Sequence, residues 1–228
     1  MCGRFNVLSD PLSQLLMKLT GQEIKLSSRL NIAPTEDITV VHRTDKNKWQ
    51  PDTMRWWLTP QWAKESTSKY AMFNARIENI MESKAYRRPF QSQRCVIPGS
   101  GYYEWKTENS VKHPYYIEPA EDIGFLFAGV WDHWKSSEGN DLFSCAMITR
   151  PACTSMKGLH NRQPAILSLP EAEEWCAENS DLDRLEQLVI GEKGIGVKVT
   201  EVDTWVNNAR HKDSRCLAFC GVPSIHAV

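Results

Sequence analysis

The sequence holds no run of eighteen or more apolar residues, so no membrane-spanning helix is expected. The opening Met1-Cys2-Gly3-Arg4-Phe5-Asn6 lacks the apolar stretch of a signal peptide, which argues against Cys2 as a lipid anchor. Neither charge is in excess. The 27 basic and 28 acidic residues leave a net charge of -1, so any nucleic-acid contact has to come from a local patch. No Gly-rich phosphate loop and no Ser nucleophile elbow is present, which removes the commonest nucleotide and hydrolase signatures. The seven cysteines are odd in number and irregularly spaced, pointing to a reduced cytosolic or nuclear chain rather than a disulfide framework. Cys216 and Cys220, with His211 nearby, have no second pair at zinc spacing; no metal and no cofactor are expected.

What is present is a 228-residue chain that is 41% hydrophobic, enough for one buried core. No repeat or low-complexity linker divides it, so the expectation is a single domain over 1–228, monomeric, with an irregular tail from about 209. Asp10 and Pro11 read as the start of a helix whose Leu12, Leu15, Leu16 and Leu19 share a face and which Gly21 ends. A second helix is expected from about Ala75, carrying Ile77, Ile80 and Met81. Ile38–His42, Cys95–Ile97, Tyr102–Lys106, Tyr115–Ile117, Phe125–Val130, Phe143–Ile148 and Val197–Val202 read as strands. Ser168-Leu169-Pro170-Glu171 is a capping box ahead of a helix with Trp175, and Ser180-Asp181 reads as the start of another, with Leu185, Leu188 and Val189 on one side. The fold class is α+β: a curved, barrel-like antiparallel sheet with peripheral helices.

Cys2 carries the most specific chemistry. Removal of Met1 would leave an α-amine and a thiol on adjacent carbons, with reference pKa values of about 8 and about 8.5. The amine can form an imine with an aldehyde, and the thiol can then close a five-membered thiazolidine at high effective molarity. The alternative is a small buried hydrophobe. Gly3 permits close approach and Arg4 offers a cation to a phosphate. Glu104, in Tyr102-Tyr103-Glu104-Trp105, is a general acid/base candidate if its aromatic neighbours desolvate it, or a solvent-facing strand residue. His160 is a proton shuttle or a structural loop histidine. Asn74 and Arg76 could meet a sugar or phosphate oxygen, or be a helix cap and a surface cation. Lys84, Arg87, Arg88 and Arg94, with Tyr86 and Phe90 between them, are either a nucleic-acid patch or a solvated helix face.

Taken in order, Met1-Cys2-Gly3-Arg4-Phe5, Asn31-Ile32-Ala33-Pro34, Phe73-Asn74-Ala75-Arg76, Arg94-Cys95-Val96-Ile97-Pro98, Tyr103-Glu104-Trp105, His160-Asn161-Arg162-Gln163-Pro164 and Val206-Asn207 resemble the SRAP family of abasic-site processing proteins. The departures are Leu30, Trp57, Gln163 and Asp203, where the family usually has Tyr, Gly, Met and Ser. The resemblance implies an SRAP-like fold with a positively charged cleft for kinked single-stranded DNA containing abasic sites. It implies Cys2 as nucleophile, Glu104 as acid/base, His160 as the group that protonates the sugar oxygen, and Asn74 as positioner. Arg4, Arg76, Arg162 and Lys84 would hold phosphates, while Trp105 and Pro34 would pack against bases. Two other readings stay open: an N-terminal Cys/His peptidase that removes its own Met1, and a non-catalytic single-strand-binding module using Trp105 and the basic cluster. A covalent capture enzyme could also show weak AP-lyase activity. All of this requires Cys2 to reach a groove that admits a sugar.

Overall fold

Strand β1 (Phe5–Val7) leads directly into helix α1 (Ser9–Thr20). Leu12, Leu16 and Leu19 are buried along one side of α1, as their spacing requires. Gly21 ends the helix at φ 68°, its N–H bonded to the Met17 carbonyl, a left-handed stop that glycine accepts without strain. The N-terminal boundary falls earlier than Asp10: Leu8 occupies the cap position, with no side-chain capping bond. A computed structural model describes residues 2–66, 68–121, 123–178 and 180–228.

Onward come β2 (Arg29–Ile32), β3 (Asp37–Arg43), β4 (Trp49–Trp56) and the short β5 (Asn74–Arg76). The helix expected from Ala75 is absent. Asn74–Arg76 pairs in parallel with a later strand through Met147↔Asn74 and Ile148↔Ala75, and only a single 3-10 turn follows at Ile77–Asn79. Ile77 and Ile80 are buried; their three-residue spacing suits a 3-10 turn as well as an α-helix. Then follow α2 (Arg87–Ser92), β6 (Arg94–Gly99), β7 (Gly101–Glu108), β8 (Val111–Pro119), β9 (Phe125–Lys135), β10 (Asp141–Pro151), β11 (Arg162–Pro164) and β12 (Ile166–Leu167). Helices α3 (Leu169–Cys176) and α4 (Leu182–Ile190) precede β13 (Gly196–Glu201) and β14 (Ser224–Ala227). The capping box at Ser168 and Glu171 is formed, and Asp181 caps α4.

Five strands close a barrel. β4–β3, β3–β6, β6–β9 and β9–β10 are antiparallel, and β10 returns to β4 in parallel through Ser144↔Arg55 and Cys145↔Trp56. Closure leaves no unpaired edge in the ring. The second sheet runs β14-β13-β8-β7-β1-β2, so the N-terminal strand lies inside it rather than at its rim. The architecture is α+β. The tail read as irregular instead supplies β14, which pairs with β13 from Gly196↔Ala227 to Val199↔Ser224.

Two apolar clusters hold these layers together. Phe5, Tyr102, Ile117, Val197 and Val199 of the sheet pack with Ile38, Met54, Trp56, Ile97, Phe127 and Met147 of the barrel. Helices α1, α3 and α4 cover another barrel face through Leu16, Leu19, Trp175, Leu185 and Leu188. The Trp175 indole donates to the carbonyls of Cys95 at 3.0 Å and Gly129 at 3.2 Å, satisfying its one polar group inside the core. No helix among the described residues is long and apolar enough to cross a membrane.

Candidate active site

β1 and β7 bring the first candidate residues together. Phe5 opposes Tyr102 in antiparallel register, and the Tyr103 N–H donates to the Arg4 carbonyl at 2.9 Å. Running β1 back toward its start therefore carries Gly3 and Cys2 alongside Glu104. Alternation along β7 turns Tyr102 into the sheet–barrel core and Tyr103 to the opposite face, under Val206 and Cys216, and puts Glu104 on the Tyr102 side. The first residue of β5 completes the clamp: Asn74 Nδ2 donates to the Cys2 carbonyl at 2.8 Å, while Asn74 Oδ1 is buried without a partner.

His160 arrives from the turn after β10. Its Nδ1 lies 4.0 Å from Glu104 Oε1 and accepts the Arg162 backbone N–H at 2.9 Å. The same Nδ1 lies 3.1 Å from the Arg162 carbonyl oxygen, so the Arg162 backbone holds the ring in place through that nitrogen. Burial lowers the His160 pKa, so the neutral ring is the form held at pH 7.

Glu104 is only 3% exposed, and burial raises its pKa from the usual 4.5 to about 7. Desolvation penalises the carboxylate, and a carboxyl group titrating near neutrality can take or give a proton there. Cys2 is less accessible than the sequence reading required. In the chain that carries Met1 it is 0% exposed. Burial first, then the neighbouring Glu104 carboxylate, push its thiol well above the ordinary range, and the thiol donates to the Arg4 carbonyl at 3.8 Å. Met1 itself lies outside the described residues.

Above these groups opens a groove of about 690 Å³, lined by Gly3, Arg4, Pro34, Phe73, Glu104, Trp105, Thr107, Lys112, His160 and Asn207. Its size is that of a small-ligand site. Trp105 is fixed by its indole N–H, which donates to Asn207 Oδ1 at 2.6 Å.

The sequence profile of the SOS response associated peptidase (SRAP) family matches residues 1–209. The chain belongs to the SRAP family. Among its relatives, the abasic site processing protein YoaM of Bacillus subtilis is 32% identical over 222 residues, covering 95% of this chain and 97% of that protein. The abasic site processing protein HMCES of Xenopus tropicalis is 32% identical over 187 residues, 72% of this chain and 56% of its own length. A crystal structure of a protein from Bacteroides thetaiotaomicron superimposes with a TM-score of 0.76 at 21% identity, covering 91% of this chain and 95% of that one.

Within this SRAP chain the proposed DNA contacts separate into distinct environments. Pro34 and Trp105 line the groove beside Glu104 and His160. Arg4 lines it too, but its guanidinium donates to Asn31 Oδ1 at 2.7 Å and the Val206 carbonyl at 3.0 Å, which ties it to the fold. Arg76 is exposed at the end of β5. Arg162 is committed to an ion pair with Glu78 and to the Thr149 carbonyl at 2.7 Å. Lys84 borders a separate depression with Trp62 and Tyr70. Arg94 is no part of a surface patch. It is buried and donates to the carbonyls of Phe90, Gln91, Trp175 and Ala177 at 2.6–2.8 Å. Phe73, Thr107 and Lys112 are groove residues that the sequence reading did not single out. Only the β7–β8 register, which sets Thr107 opposite Lys112, brings that lysine to the site.

Proposed function

We propose that this protein processes abasic sites in single-stranded DNA by covalent capture through Cys2 once Met1 has been removed. The observation that carries the reading is the Glu104–His160 pair, 4.0 Å apart, which lines one groove together with Gly3, the residue next to Cys2. The names of the relatives, abasic site processing proteins, support the lesion as substrate. The groove's aromatic wall, Trp105 with Phe73, suits unpaired bases.

An abasic deoxyribose equilibrates between a closed hemiacetal and an open aldehyde. A ring N–H of His160 can donate to the ring oxygen as the ring opens. The freed Cys2 α-amine adds to the aldehyde carbon, and proton transfer to oxygen followed by loss of water leaves an imine. Glu104 supplies and recovers those protons, since it is divided between acid and carboxylate near pH 7. The thiol sulfur then bonds to the imine carbon, its proton passing to the Glu104 carboxylate while the ring nitrogen takes one back. The product is a thiazolidine, and strand cleavage by β-elimination from the imine is suppressed. Amine attack comes first, because the imine it forms is the electrophile on which the thiol closes the ring. Asn74 holds the Cys2 carbonyl and so aims the amine.

The test uses protein whose intact mass shows loss of Met1, incubated with a uracil-containing oligonucleotide treated with uracil glycosylase. A shifted band on a denaturing gel, with the mass of protein plus DNA less one water, is expected; Cys2→Ala should give none. Equal crosslinking by Cys2→Ala refutes the reading.

A further inference from the structure

We propose that Lys112 supplies a backbone-phosphate contact in the groove, holding the nucleotide next to the one that occupies the Glu104–His160 site. The inference rests on the single-stranded DNA reading above and assigns a contact that the family motifs do not carry.

The groove contains two formally charged basic side chains, Arg4 and Lys112. Arg4 already donates to Asn31 Oδ1 and to the Val206 carbonyl, with a longer bond to Asn207 O at 3.4 Å. His160 is neutral at pH 7 for the reason given above. The neighbouring Lys106 is paired with Glu108 at 2.6 Å. Lys112 forms no ion pair or side-chain hydrogen bond among the described residues and is exposed. It is therefore the cation in the groove that is uncommitted and can exchange water for a phosphate oxygen.

Its position is set by the backbone. Thr107 pairs with Lys112 and Trp105 with Pro114 across the β7–β8 hairpin, and directly opposed residues share a face. Trp105, Thr107 and Lys112 thus form one strip on the face away from the sheet–barrel core. Thr107 is three residues beyond Glu104, about 10 Å along an extended strand. A base stacked on Trp105 would leave its phosphate within reach of Lys112 and of the Thr107 hydroxyl. The turn that holds the strip in register has Asn109 at φ 47° and Ser110 at φ 66°, the paired left-handed conformations of a tight two-residue hairpin.

The experiment measures non-covalent binding of a single-stranded oligothymidylate from 50 to 200 mM salt, in a Cys2→Ala background that prevents crosslinking. Lys112→Gln should reduce the slope of log K against log salt by about 0.7, the loss of one single-strand phosphate contact, and weaken binding several-fold at 50 mM. Lys112→Arg should keep the slope. A Lys112→Gln slope equal to that of the Cys2→Ala parent overturns the assignment while leaving the capture reading intact. A parent that does not bind the oligonucleotide at all removes both.

Discussion

Burial of Glu104 should make this protein less stable as pH rises from acid to neutral, opposite to the usual behaviour of a carboxylate in an ion pair. The folded-state pKa is raised from 4.5 to about 7. Between those values the folded chain keeps a proton that the unfolded chain has released. Unfolding free energy then falls with pH at about 1.4 kcal/mol per unit, per group. The stability contributed by the protonated form is complete below about pH 4.5 and is lost by about pH 7, a total of order 3 kcal/mol. Glu104→Gln removes the titration and keeps the shape. Urea denaturation of both proteins at pH 5, 6, 7 and 8, in the form that retains Met1, isolates this contribution, because every other titrating group is common to the two. The glutamine variant should gain on the parent steadily from pH 5 to pH 7, then keep a constant advantage. Its crosslinking, assayed after Met1 removal, should be slow, and the parent's rate should climb through about pH 7 as the carboxylate forms. A stability difference that stays flat from pH 5 to pH 8 would show that Glu104 is solvated in the folded protein, and the acid/base assignment would go with it.

Two further outcomes test the architecture rather than the chemistry. Arg94→Ala removes the donor to four carbonyls, the bonds to Phe90 and Trp175 being buried, and should cost about 3 kcal/mol of stability in chemical denaturation, without changing the salt dependence of DNA binding, because the Arg94 guanidinium is turned into the fold. Ser110→Gly relieves a left-handed backbone position at φ 66° and should stabilise by about 1 kcal/mol, raising the melting temperature by roughly 2–4 °C; an unchanged or lower value contradicts the turn geometry.

The parts legible in the sequence were those governed by local pattern. Leu12, Leu16 and Leu19 define α1 by spacing alone, and Ser168 with Glu171 marks the start of α3 at its observed residue. The misreadings arise where distant pairing decides. Asn74–Arg76 becomes a strand only because β10, some seventy residues later, lies parallel to it, and no local signal opposes the three-residue repeat of Ile77 and Ile80. Arg94 looked like a surface cation within a basic run, yet the ends of α2 and α3 present carbonyls that capture it. The parallel seam between β4 and β10, which closes the barrel, has no sequence signature at all. At the site, Cys2, Glu104 and His160 were nameable by residue type and order. The clamp of Asn74 on the Cys2 carbonyl, the commitment of Arg4 and Arg162, and the presence of Lys112 depend on register and could not be read in advance.

The interior placement of β1 ties the chemistry to the order of synthesis. Cys2 loses all contact with solvent when β1 inserts between β2 and β7, and that insertion waits for Tyr102 to be made. At about 5–20 residues per second, roughly 5 to 20 s pass between emergence of the first residues and arrival of their partner strand. During that interval the leading methionine is attached to an unfolded, accessible peptide. On the capture reading proposed above, removal of Met1 is therefore easiest on the ribosome-bound chain, before the sheet assembles, because a protein that folds with Met1 attached holds Cys2 buried.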